Sequence, residues 1–443
     1  MKIKFWSVRR LVCGLRVLPP HPALSPESPG ARLVSQNYVT GLDGVGFLGF
    51  WLYFLLFSSY LAQGQNAVSS SVPLATTTNG IVLTSPGNRV VFQRNREGKA
   101  IIPITGTSSL RGVKLEARLV PVDLSLSPGN WSLVTTVKPD GTFAGRLAAK
   151  AGWYGLEVRA RSATGPATAM MGKVDRVGVG EVFVVVGHSV AQGGEVNLPG
   201  STDDRVNTVA LDTDQPGQQR DYEETGDPKY LPMLTGTPFT NGVQPAPFGH
   251  GTYIWAQFAE RVARAEKVPV LIFNAAFGGT SLEHWAKSVR GERFEHSFVR
   301  SGIRMPYINV NNTLRRYIAV TGIRAILADQ GQNDANEPSP EVVFGNYRAW
   351  VDQARVDLGF PQLAVVVNRQ TPYPQRSVIR QAEERMIREV PHCFPGPDYD
   401  RFASEDRPDG IHLGPLGAEK AAQWWAEALD VAFFSQSLPY QPR

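Results

Sequence analysis

The chain has 443 residues, 10% aromatic and 19% charged, enough for two or three domains with at least one large core. Its 43 glycines and 33 prolines exclude an all-helical protein and point to many turns on an ordered scaffold. The formal charge of +5 carries no argument for nucleic acid, because residues 1–63 hold +4 of it.

Val45–Ala62 is uncharged and dominated by large apolar residues, which suits a signal-peptide core or a membrane span. Small residues and a Ser/Thr-rich tract follow, and the next charge is Arg89, so no basic stop-transfer cluster is present. The expectation is a leader over 1–63 cleaved near Ala62, no stable membrane insertion afterwards, a secreted or periplasmic protein, and a flexible linker over 64–80. Cys13 would leave with the leader and Cys393 would stand alone, which excludes a disulfide scaffold.

Residues 81–175 read as short strands separated by turn signals such as Pro128-Gly129-Asn130 and Pro139-Asp140-Gly141. Val113, Leu115, Ala117 and Leu119 alternate with Lys114, Glu116 and Arg118, the period of a half-buried antiparallel strand. The expectation is a small β-sandwich of immunoglobulin type. Trp131 and Trp153 in it suit core or inter-domain packing better than sugar binding.

From 176 to 438 the texture changes. Near-continuous apolar runs at 183–186, 268–277, 325–330 and 363–368 alternate with helical patterns at 252–267, 315–322, 341–358 and 375–390. Apolar strands separated by helices predict an α/β domain with a mainly parallel sheet covered on both faces. Residues 195–250 show little periodicity and read as a long functional loop or rim.

Four pieces stand at strand ends or before the last helix: Gly187-His188-Ser189, Phe277–Trp285, Asp329–Asp334 and Pro408–Gly417. Ligand sites in open α/β sheets form at the carboxyl ends of strands. A serine hydroxyl there needs a base, which His412 can be, and Asp409 on the same turn can fix the histidine tautomer. The backbone N–H of Ser189, a glycine N–H of Gly278-Gly279 and the Asn333 amide can serve a tetrahedral oxyanion. Taken singly, each piece is as well explained by a turn, a loop or a cap; together they fill every role of acyl transfer. His250 and His284 lack a partner at metal-ligand spacing, and Asp203, Asp204, Asp212 and Asp214 lack the D-x-D-x-D-G calcium pattern, so no metal or cofactor is expected.

Over residues 178–435 the chain resembles the SGNH hydrolase superfamily, the GDSL-like lipases and esterases, nearest to the sialate O-acetylesterases and bacterial carbohydrate acetyl-esterases. The resemblance implies a three-layer α/β/α flavodoxin-like domain and a serine esterase acting on an acetylated sugar or polysaccharide. It assigns Ser189, Asp409 and His412 as the triad, with Ser189, Gly279 and Asn333 as oxyanion donors and Gly278, Gln330 and His188 as auxiliary residues. The Gly278-Gly279-Thr280-Ser281 run with Trp285 and the Gln330-Gly331 pair carry the sugar-esterase likeness. Two positions depart from it. His188 stands where Asp or Gln is usual, and Gln332 where the branch has Glu, leaving Gln330 and Asn333 both open as the side-chain oxyanion donor, with Asn333 preferred. A non-catalytic carbohydrate-binding protein on the same scaffold, or an esterase or thioesterase of other acyl groups, are the alternatives.

Overall fold

The computed structural model describes residues 80–442 apart from 162–170, 195, 212–214, 337–338 and 373–376. The expected leader, the linker up to residue 79, Asp212 and Asp214 lie outside the described residues. Among the described residues no helix is long and apolar enough to cross a membrane.

The first strands in chain order are β1 (Ile81–Ser85), β2 (Val90–Gln93), β3 (Lys99–Ser108), β4 (Lys114–Pro121), β5 (Ser132–Thr136), β6 (Thr142–Lys150), β7 (Gly152–Ala160) and β8 (Met171–Gly187). β1, β3 and β6 form an antiparallel sheet. β5, β4, β7, the first half of β8 and β2 form a second surface. Alternation decides which side chains turn inward: Ile102 and Ile104 of β3 are fully buried while Ile101 is 48% exposed. Leu115 and Ala117 of β4 are likewise buried, in one apolar cluster with Ile102, Phe143, Leu156, Val158 and Val177.

β8 runs on through the expected boundary at 175/176, and its second half enters another set of strands. These are β9 (Val206–Thr208), β10 (Thr237–Pro238), β11 (Val270–Asn274), β12 (Ala325–Asp329), β13 (Ala364–Arg369) and β14 (Cys393–Asp398). Their order is β10-β9-β11-β8-β12-β13-β14. Every neighbouring pair from β9 to β14 is parallel, and β10 pairs antiparallel with β9. The molecule is thus a mixed α/β structure built on a large sheet.

Parity along β8 sorts the core. Val182, Val184 and Val186 point to one face, with Trp285, Tyr317, Trp350 and Met386 from the helices Leu282–Arg290, Pro340–Leu358, Ser377–Glu389 and the helical stretch from Tyr307 to Thr321. Phe183 and Val185 point to the other, with Phe258, Trp255, Ala422 and Trp425 from the helices Trp255–Glu266 and Pro415–Ala428. Glu181 in β8, 0% exposed, accepts hydrogen bonds from Gln93, Arg94 and Arg324 at 2.6–2.9 Å, which ties β2 to the strands around β8.

Two expectations need correction. Residues 195–250 are not one unstructured rim: they hold β9, β10 and the helix Gln218–Thr225. β9 is Val-Asn-Thr, three residues buried on both faces, too short and too polar to show a period. The helix expected at 315–322 begins at Tyr307 and passes through a π-helical segment at Leu314–Ile318. Its apolar face, Tyr307, Val310, Leu314 and Tyr317, keeps helical spacing, but Asn309, Asn311 and Asn312 are poor helix formers and mask it.

Candidate active site

β8 ends at Gly187 and the chain turns at once into the single helical turn Ser189–Gln192. Trp255 Nε1 and Asn274 Nδ2 both donate to the Ala191 carbonyl, at 2.7 and 2.9 Å, which fixes this turn from the helix and strand beside it. Ser189 Oγ lies 2.9 Å from His412 Nε2, and His412 Nδ1 lies 2.7 Å from Asp409 Oδ2. A carboxylate can only accept, so Nδ1 carries the hydrogen and Nε2 presents its lone pair to the serine hydroxyl. Asp409 Oδ1 also accepts from the N–H groups of Ile411 and His412 at 2.8 and 2.7 Å, closing the turn that carries both side chains. Burial pushes the Asp409 carboxyl up, but the bonds from His412 and these N–H groups outweigh it and hold it below the usual range. The site therefore contains a hydroxyl, a base with its lone pair on the hydroxyl, and an ionised carboxylate behind the base, the elements of nucleophilic acyl transfer.

The loop after β11 comes next to the serine. A Cβ on Gly278 would stand 3.4 Å from Ser189 Cβ, so Gly278 is the glycine in contact with it. Its N–H donates to Gln192 Oε1 at 2.7 Å. Gly279 adopts φ +72°, with Phe298 packed where its Cβ would be. Asn333 Nδ2 donates to the Thr280 carbonyl at 3.2 Å, using one of its two hydrogens. Asp334 accepts from Leu282 N at 2.8 Å and caps the helix Leu282–Arg290, so the loops after β11 and β12 are tied twice. Gln330 is fully buried and neither atom of its amide has a hydrogen-bond partner among the described residues.

His188 is fully buried behind the serine. Its Nδ1 accepts from Val190 N at 3.3 Å and caps the turn, and its Nε2 lies 3.2 Å from Gln370 Nε2. Burial, then the charges of His412 and Arg407, push its pKa down to about 3, so it is neutral. Gln370 in turn bonds Asp329, whose pKa burial raises to about 7 against the opposing pull of Asn368 and Arg407. Arg407 donates to Gln332 Oε1 at 2.5 Å, so the residue standing in place of the acid still meets a cation, as a neutral acceptor.

His250 and His284 fall at the edges. Gln192 Nε2 lies 3.3 Å from His250 Nε2, and His284 Nδ1 accepts from Ser281 N at 3.1 Å in a capping box. Burial lowers both to about 4. Asp203 pairs with Arg205, and Asp204 meets Arg89, Arg176 and Trp153 Nε1, so both are held by protein partners. Trp153 is thereby a packing residue, 8% exposed, and the Trp131 ring lies against Arg118 and Arg159. Gln192, His296 and Arg407 carry no local sequence signal, because the groups they bond come together only after folding. Beside the triad lies a cavity of about 20 Å³ lined by Ser189, Gly193, Tyr253, His412 and Leu413. A larger depression of about 440 Å³, around residues 387–395 and Gln436, touches none of these groups.

Among solved structures, the chain is similar to a carbohydrate acetylesterase from Xanthomonas citri, at 17% identity over 80% of this chain and 74% of that one, with a TM-score of 0.47. It is also similar to a family two carbohydrate esterase from Cellvibrio japonicus, at 10% identity over 82% and 97%, TM-score 0.33. A protein from Arabidopsis thaliana matches at 15% identity over 58% and 98%, TM-score 0.38. No curated protein matches the chain. The model of one family, described as carbohydrate esterase, sialic acid-specific acetylesterase, matches residues 179–429, more than half of the chain and all four loops of the site, and the chain belongs to that family.

Proposed function

We propose that the protein is a serine esterase that removes O-acetyl groups from a carbohydrate through an acetyl-enzyme. The observation that carries this reading is the hydrogen-bonded series Ser189–His412–Asp409, brought together from two loops 220 residues apart in sequence. The Ser189 proton passes to His412 Nε2 as Oγ attacks the acetyl carbonyl. The bond to the sugar oxygen then breaks, and His412 returns the proton to that oxygen. Water, deprotonated by His412, then attacks the acetyl-serine, the bond to Ser189 Oγ breaks, His412 returns the proton to Oγ, and acetate leaves.

The N–H groups of Ser189 and Gly279 and the second Asn333 hydrogen are the oxyanion donors in this reading, with Gly278, Gln330 and His188 in supporting places. The cavity of about 20 Å³ beside Ser189 has room for one water-sized or methyl-sized group, which favours acetyl over longer acyl chains. Membership of the carbohydrate esterase family supports a sugar as the alcohol part of the ester.

We infer as well a flavodoxin-like SGNH domain over 176–438 with three layers, preceded by a β-sandwich over 81–175, in a secreted or periplasmic protein released from a leader near Ala62. The test compares wild type with Ser189→Ala on 4-nitrophenyl acetate and on acetylated xylan and sialic acid. Loss of nearly all acetate release in a folded variant supports the proposal. A folded wild type that cleaves no ester in the panel overturns it.

A further inference from the structure

The Gly278–Gly279 peptide is held from both sides by groups outside the four sequence pieces. On one side, the Gly278 N–H donates to Gln192 Oε1 at 2.7 Å. Gln192 is 5% exposed, and its Nε2 donates to the Phe248 carbonyl at 2.9 Å and lies 3.3 Å from His250 Nε2. Both ends of the amide are thus used, which fixes its orientation: oxygen to Gly278, nitrogen to Phe248 and His250.

On the other side, the Gly279 carbonyl lies 3.2 Å from His296 Nε2. His296 Nδ1 accepts from the N–H groups of Phe298 and Val299 at 3.3 and 3.1 Å, so the ring hydrogen is on Nε2 and points at Gly279. The ring also stands edge-on to Phe298, at 4.5 Å between centroids, and Phe298 fills the space beside the Gly279 Cα.

Between these two anchors lies one peptide unit, and its N–H is the Gly279 N–H. The group before this unit and the group after it are both bonded, φ at Gly279 is positive, and the Phe298 ring stands beside its Cα. We infer that Gln192 and His296 are positioning residues for the reaction: together they aim the Gly279 N–H at the oxyanion. The inference rests on the proposed acyl-transfer reading. Neither side chain touches the acyl group; each acts through a backbone group of the glycine pair. Oxyanion donors act by being fixed before charge develops, so loosening one lowers kcat and leaves ground-state binding unchanged.

The experiment measures kcat and KM on 4-nitrophenyl acetate for Gln192→Leu, His296→Leu, His296→Gln and Ser189→Ala, with thermal melts to establish folding. Gln192→Asn is a second probe: it keeps a polar amide in the fold but is one methylene too short for Gly278. Expected are kcat values lower by about 10- to 100-fold for Gln192→Leu, Gln192→Asn and His296→Leu, with KM within roughly twofold. His296→Gln, which retains a donor for the Gly279 carbonyl, recovers most of the loss. Leu variants that keep wild-type kcat beside an inactive Ser189→Ala overturn the clamp alone. A rise in KM at constant kcat does the same. Turnover that survives Ser189→Ala overturns the acyl-transfer reading and the clamp with it.

Discussion

Asp409→Asn separates the orienting role proposed for this carboxylate from its part in the loop. Asp409 Oδ1 closes the turn through Ile411 N and His412 N, and an asparagine oxygen keeps both bonds. The other position changes sign. Oδ2, an acceptor 2.7 Å from His412 Nδ1, becomes an NH₂ donor. The imidazole must then carry its hydrogen on Nε2, where it opposes the Ser189 hydroxyl instead of receiving its proton. In a protease triad with a buried aspartate the same change costs about 10⁴ in kcat. Here the Asp409 side chain is 50% exposed, so water can relieve part of the mismatch, and a loss of about 10²–10³ is expected, roughly 3–4 kcal/mol in the barrier. Steady-state kinetics on 4-nitrophenyl acetate, with the melting temperature as control, reads it. A folded Asp409→Asn within about threefold of wild-type kcat would show that the carboxylate does not set the tautomer.

Other consequences follow from the same contacts. His188, at about 3 against an ordinary value of 6.5, refuses a proton that the unfolded chain accepts, so its contribution to stability falls as pH drops below 6.5. Asp329, at about 7 against 3.8, has the opposite slope: its contribution is complete below the unfolded value and is lost as pH rises toward 7. Asp329→Asn removes the second slope, and urea melts between pH ~4.5 and ~6.5 should show stability falling toward acid more steeply than in wild type, by about 1.4 kcal/mol per pH unit. Glu181→Ala leaves Arg324 buried without its carboxylate and is expected to cost about 3–5 kcal/mol in denaturant unfolding; a loss below about 1 kcal/mol would show that the charge is dispensable. Gly331→Ala would put a Cβ 2.2 Å from the Gln370 carbonyl oxygen at φ +124°, so soluble expression or melting temperature should drop sharply. The small cavity beside Ser189 predicts that 4-nitrophenyl butyrate reacts at least about tenfold more slowly in kcat/KM than the acetate; equal rates would mean that the acyl group sits elsewhere.

What could be read in the chain follows from how local the signal is. The apolar run from Phe183 to Val186 carries its own strand signal, and Leu115 and Ala117 turn inward as their alternation with charged residues requires. Ser189, Asp409 and His412 are legible because two of them share one turn and the third closely follows a strand, and in the folded chain they lie in hydrogen-bond contact. Glycine identity was visible, but which glycine touches the serine depends on the turn: Gly278 meets Ser189, while Gly279 lies under Phe298. β9 has no legible signal, because three residues cannot display a period. Gln192 and His296 had no pattern at all, since each acts on backbone groups 86 and 17 residues away. His188 departs from the residues usual in the resemblance, and its place becomes intelligible only once Val190 N and Gln370 surround it.

In the proposed reaction the acetyl group passes through Ser189. Wild-type protein mixed with excess 4-nitrophenyl acetate, quenched in acid within the first turnovers and digested, should yield the peptide containing Ser189 one acetyl group heavier, with the label on Ser189 and absent from Ser189→Ala. Rapid acetate release with no acetylated Ser189 at any quench time, and undiminished turnover in Ser189→Ala, would contradict it.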